Sequence, residues 1–135
     1  MEERNHTLGA SIEGTVVKGR QIGRTIGFPT ANLALYSVNK DNLKKGVYGV
    51  KVIHHEKAYY GVMNIGVRPT FKDDNRVSYE VHILDFHKNI YHEQLEVEVL
   101  FFIREEKAFR SKQQLIQQLN LDVEQFNEQL LQLSY

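Results

Sequence analysis

The chain predicts an all-β fold: a closed antiparallel barrel with helix packed on it after the last strand. Three observations predict it. Apolar residues alternate at period two through about six short segments. The segments are joined by hairpin-length polar turns, with no helix between them of the kind a parallel βαβ sheet needs. Near the C-terminus the apolar period becomes helical. At 135 residues this is one domain, with residues 1–10 as a polar tail or linker and residues 11–135 as the barrel.

Residues 11–18 form the first expected strand, with Ile12, Gly14 and Val16 on one face. A short strand is expected near residues 31–34, and the polar stretch 36–45 reads as loop. Residues 46–54 alternate around Tyr48, Val50 and Val52, residues 55–57 suit a hairpin turn, and residues 58–66 return as a strand. Residues 68–75 read as a second loop, because Pro69 argues against a central strand there. Asp73 and Asp74 within it suit turn chemistry, in which short side chains bond their own backbone.

Residues 77–86 alternate, with Val77, Tyr79, Val81 and Ile83 on one face and Ser78, Glu80, His82 and Leu84 on the other. Residues 87–92 are a turn. The last strand, 94–104, has one apolar face of Leu95, Val97, Val99, Phe101 and Ile103. Its other face begins polar and turns apolar at Leu100 and Phe102, so a helix or a flat ligand must cover that half. Ser111 suits a helix N-cap, followed by Leu115, Ile116 and Leu119 and then Val123, Phe126, Leu130 and Leu133; Asn120 caps or interrupts this run, giving one or two helices.

Composition narrows the function classes. Formal net charge is zero, so bulk electrostatics do not call for nucleic acid. The absence of cysteine excludes disulfides, thiolate metal sites and cysteine nucleophiles. No apolar run approaches the roughly 20 residues of a membrane span. Residues 1–10 lack the apolar core of a signal peptide. The expectation is a cytoplasmic domain.

The stretch with most chemistry is 19–32. Gly19, Gly23 and Gly27 recur every four residues, which suits a loop whose N–H groups converge on phosphate. Arg24 adds a fork of donors. Pro29 makes Phe28 extended and holds Thr30 and Asn32 rigidly. With residues 30–33 extended, Thr30 and Asn32 point the same way and offer two hard oxygens to a nucleotide-bound Mg²⁺. A plain surface turn followed by a strand would use the same glycines. Glu80, on the less apolar face of its strand, is the candidate general base.

The unbroken string Gly23, Arg24, Gly27, Phe28, Pro29, Thr30, Ala31 and Asn32 resembles the signature of riboflavin kinases, including the kinase half of bacterial bifunctional FAD synthetases. Further segments resemble the same family over roughly Ile12 to Phe126: Glu80 with Val81, His82 and Ile83; the run from Asn64 to Phe71; and the run from Arg104 to Phe109. The resemblance implies a six-stranded antiparallel Greek-key barrel with a C-terminal helical element. It implies transfer of the ATP γ-phosphate to the riboflavin 5′-hydroxyl, giving FMN and ADP with Mg²⁺. Gly19, Gly23, Arg24, Gly27, Thr30, Asn32 and Tyr91 fall on the ATP side, although some members carry lysine at the position of Arg24. Thr30 and Asn32 fall at the metal, and Glu80 at the base. Arg104, Lys107 and Phe109 fall at the flavin; by residue type alone, that segment is a charged connection with one anchoring ring. Tyr91 also suits a buried turn aromatic, and the run from Asn64 reads as loop architecture.

No Walker loop, protein-kinase signature or His-x-Gly-His nucleotidyltransferase motif occurs, so no adenylyltransferase is expected within these residues, which suit a piece of a bifunctional enzyme. The six histidines show no zinc spacing, and adjacent His54 and His55 point oppositely if their strand is regular. The competing reading is a non-catalytic flavin-binding regulatory module, because small barrels also serve as binding modules.

Overall fold

The computed structural model describes residues 9–17, 30–38, 43–69 and 75–133. Six strands, β1 (Ala10–Val17), β2 (Ala31–Val38), β3 (Gly46–His54), β4 (Lys57–Pro69), β5 (Asn75–Ile83) and β6 (Gln94–Arg104), precede one helix, α1 (Lys112–Leu133). The strands close in the order β1-β2-β5-β4-β3-β6, with β6 returning to β1. Every pairing is antiparallel. Strands β3, β4 and β5 are a meander. The chain passes over two strands between β2 and β3 and again between β5 and β6, which gives the Greek-key crossing.

Alternation sends one set of side chains inward. Val16, Val50, Val52, Met63, Ile65, Val81, Val97 and Val99 pack there as one apolar interior. A second cluster lies outside the barrel, where Val47, Val62 and Leu100 meet Phe126 of α1. The helix therefore covers the apolar half of β6, as that face requires. It starts where expected: the Gln114 N–H donates to Ser111 Oγ at 3.2 Å, and Gln114 Oε1 accepts from the Arg110 N–H at 3.1 Å. It runs through Asn120 without a break. No helix among the described residues is long and apolar enough to cross a membrane.

Three expectations are corrected. Strand β2 continues through Val38, because β1 pairs with it as far as Ile12 opposite Val38; its exposed Tyr36 and Val38 hide the strand signal. Strand β4 continues to Pro69, paired with Asn75. Proline is tolerated because it is the terminal residue, where few ladder bonds need its missing N–H. Strand β6 does not keep one apolar face. Val50 faces Val99 and Gly49 faces Phe101, then Tyr48 faces Phe102 and Val47 faces Arg104, so the pairing passes over Leu100 and Ile103. The bulge at Leu100 turns Phe101 out toward Phe126 at 5.6 Å between ring centroids. It thereby turns Phe102 in toward Tyr48 at 5.2 Å, edge to face.

The helix approaches closely because Gly49 has no side chain. A Cβ there would overlap the Phe101 ring and lie 2.8 Å from Phe126 Cδ1. Gly49→Ala should therefore cost about 1–3 kcal/mol through overpacking. Urea unfolding measures it, and an unchanged midpoint would show that α1 docks without this contact.

Candidate active site

Strand β5 lies between β2 and β4, and the register sets three polar residues in a row. Asn32 of β2 faces Glu80, and Glu80 faces Asn64 of β4. Direct cross-strand partners share a face. Their neighbours Leu33, Val81 and Ile65 belong to the interior, so the row is on the outer face. Thr30 precedes β2, and its Oγ1–H donates to Glu80 Oε1 at 3.2 Å across 50 residues of sequence. Asn32 is only 6% exposed. A hydroxyl, a buried amide and a carboxylate thus occupy adjoining positions. Hard oxygens of this kind fit Mg²⁺, which takes few protein ligands when phosphates and water complete its shell. Gly19, Gly23, Arg24 and Gly27 lie outside the described residues.

Thr30 and Ala31 also border a cavity of about 390 Å³, enclosed by Val16, Val81, Ile83 and the segment from Phe86 to Tyr91. That is the size of a small-molecule pocket, and its lining is mostly apolar with a few polar groups. Tyr91 contributes to its wall. Lys88 and Asn89 stand on the same segment.

On the other side of Glu80, the strand-to-helix connection folds back over β4. A Cβ on Gly66 would run into Glu106 Oε2 and come within 3.8 Å of Asn64 Oδ1. Arg104 and Asp122 of α1 form a two-pronged ion pair, Nε to Oδ1 at 2.7 Å and Nη2 to Oδ2 at 2.8 Å. Gln118 Nε2 donates to the same carboxylate at 2.9 Å, and Lys107 Nζ donates to Gln118 Oε1 at 3.1 Å. The Arg104 guanidinium lies 5.8 Å from the Phe109 ring centroid. Arg104 and Lys107 are thus held against the first half of α1, with Phe109 beside Arg104 and the edge of the Arg104 fork committed to Asp122.

Sequence reasoning placed Asn64 in the strand over residues 58–66 but missed it as a site residue: it stands in β4 opposite Glu80. Counting alternate residues back from Gly66 on one strand face would have found it. It also missed Phe86, Lys88 and Ile90, whose only signal is closeness to Tyr91 along the chain.

Behind the cavity, the hairpin turn expected after His54 removes the regular strand on which oppositely directed His54 and His55 side chains would depend. They do not point oppositely. The strand ends at His54, and His55 takes φ 49° and Glu56 φ 68°, the left-handed pair of a two-residue type I′ hairpin. The turn lays the two imidazoles parallel, 4.0 Å apart. His54 Nε2 bonds Glu93 Oε1 at 2.5 Å, and this bond holds the Glu93 carboxyl below its ordinary range.

The riboflavin kinase (flavokinase) family profile matches residues 7–130. The chain belongs to that family. It is 45% identical over 112 residues to an RNA-binding riboflavin kinase of Bacillus subtilis, covering 83% of this chain and 47% of that protein. It is 46% identical over 126 residues to a bifunctional riboflavin kinase/FMN adenylyltransferase of Listeria monocytogenes, covering 90% of this chain and 39% of that protein. A crystal structure of riboflavin kinase from Trypanosoma brucei superposes with a TM-score of 0.61 at 25% identity, over 90% of this chain and 80% of that one. The chain spans less than half the length of these two bacterial relatives.

Asp122 is buried, and its loss would leave the Arg104 charge without its partner. Asp122→Ala should cost about 3–5 kcal/mol, read from chemical denaturation. A loss under about 1 kcal/mol would show that the pair does not anchor the helix.

Proposed function

We propose that this chain is an ATP:riboflavin 5′-phosphotransferase, making FMN and ADP in the cytoplasm. The observation that carries this reading is the contact of Thr30 with Glu80, with Asn32 beside them. It supports a site where a phosphate-holding segment and a base adjoin. The cavity by Thr30 and Tyr91 takes the nucleotide, with Gly19, Gly23, Arg24 and Gly27 on its phosphates. The flavin takes the outer face, against Lys107, Phe109 and the flat face of the Arg104 guanidinium.

Phosphoryl transfer asks mainly for positioning and for stabilisation of charge. Glu80 accepts the proton of the riboflavin 5′-hydroxyl as that oxygen bonds to the γ-phosphorus. The bond from phosphorus to the β,γ-bridging oxygen breaks, and ADP leaves with the electron pair. Thr30 and Asn32 would hold Mg²⁺, which would neutralise charge on the phosphate oxygens. Thr30 also keeps one Glu80 oxygen oriented before substrate arrives. The bifunctional relative supports a setting in which FMN passes to an adenylyltransferase.

Glu80→Gln should lower kcat by about 10²–10⁴-fold, the usual worth of a general base, while riboflavin binding, followed by quenching of flavin fluorescence, persists. Near-normal turnover would remove Glu80 from that role. Asn32→Ala should raise the Mg²⁺ concentration at half-maximal rate, and an unchanged metal titration would reject Asn32 as ligand. Chromatography of the wild-type protein with riboflavin, ATP and Mg²⁺ tests the whole reading. Flavin binding with no FMN formed would favour a binding module.

A further inference from the structure

The geometry points to a second metal site, at the opposite chemical extreme from Mg²⁺. We propose that His54, His55 and Glu93 bind one late first-row divalent transition ion, of which Zn²⁺ is the probe. The three offer two imidazole nitrogens and a carboxylate oxygen, all within 4.8 Å of one another. Both Nε2 atoms already converge on a single oxygen, Glu93 Oε1, at 2.5 Å from His54 and 3.5 Å from His55. Tetrahedral Zn²⁺ with bonds of about 2.0–2.1 Å separates its ligand atoms by about 3.3 Å. Binding one ion requires the stacked pair to open, the exposed His55 ring swinging until its nitrogen lone pair converges with that of His54.

Imidazole and carboxylate together suit zinc, nickel or copper, and hard-cation Mg²⁺ poorly. Three protein ligands leave the fourth position to water. The site has a buried anchor and an open door, because the His54 side chain is 5% exposed and that of His55 is 73% exposed. The turn that creates it is unusual. Type I′ hairpins favour Asn-Gly, where left-handed backbone costs little, yet this one carries His-Glu. That conformation brings the second imidazole onto the side of the first.

The site would brace the cavity. The Phe86 ring meets His54 edge to face at 5.7 Å, and Phe86 lines the cavity wall. The Glu93 carbonyl accepts the Val16 N–H at 2.9 Å, and Val16 lines it too. An ion here would tie the β3–β4 turn to the segment entering β6 and stiffen that wall.

The test uses chelator-treated protein titrated calorimetrically with Zn²⁺, with Mg²⁺ as control, alongside Co²⁺ absorption. Wild type should bind one Zn²⁺ at least about 100-fold more tightly than Mg²⁺, give tetrahedral Co²⁺ bands, and gain thermal stability with Zn²⁺. His55→Asn keeps a residue suited to the left-handed turn; it should weaken Zn²⁺ at least tenfold and abolish the bands. Glu93→Gln should do the same. His87→Ala, outside the cluster, should change nothing. Zn²⁺ affinity unaltered in both His55→Asn and Glu93→Gln, or lost in His87→Ala, would overturn the site. Because each readout is independent of FMN formation, failure here leaves the kinase reading intact.

Discussion

The register of β5 between β2 and β4 is the constraint on which the candidate site depends. A strand slipped by one residue turns every side chain to the other face. Glu80 would then enter the barrel, and Val81 would meet solvent beside Thr30. The apolar interior forbids this, because Val81, Ile65 and Leu33 are buried only in the observed register. The polar row Asn32, Glu80 and Asn64 is therefore held by hydrophobic residues that take no part in it. Closure of the barrel reinforces the arrangement, since shifting one strand would shift its pairing on both sides.

Around this row the molecule separates two kinds of surface. Toward the segment 86–91, the strands leave a mostly apolar cavity. Toward α1, the connection after β6 returns across Gly66 and brings charge and an aromatic ring to the outer face. The Arg104–Asp122 pair fixes that connection to the helix, and the helix is fixed to the barrel by Phe126 against Phe101 and Tyr60. One buried ion pair and one aromatic cluster thus position a face that the barrel alone would leave bare.

Much of the fold was legible because its signals are local. Alternation along β3, β5 and the first half of β6 is strong, and Ser111 marks the helix start. What was hidden depends on partners distant in sequence. Tyr36 and Val38 look like loop because they are exposed, and only pairing with β1 makes them strand. The bulges at Leu100 and Ile103 answer to Tyr48 and Phe126, not to any pattern within β6. The residues of the candidate site could be named from the resemblance, yet the contact of Thr30 with Glu80 spans 50 positions and no periodicity encodes it. The hairpin turn at residues 55–57 was legible, but the left-handed backbone at His55 and Glu56 that stacks His55 on His54 was not.

A cylinder of strands has no first and no last member. Each described strand here is flanked on both sides, so its backbone amides and carbonyls are largely spoken for. The seam is thinnest between β2 and β5, where three residues of each strand pair; around the rest of the cylinder a neighbouring protein or covalently joined module finds little ladder to extend and attaches mainly through side chains.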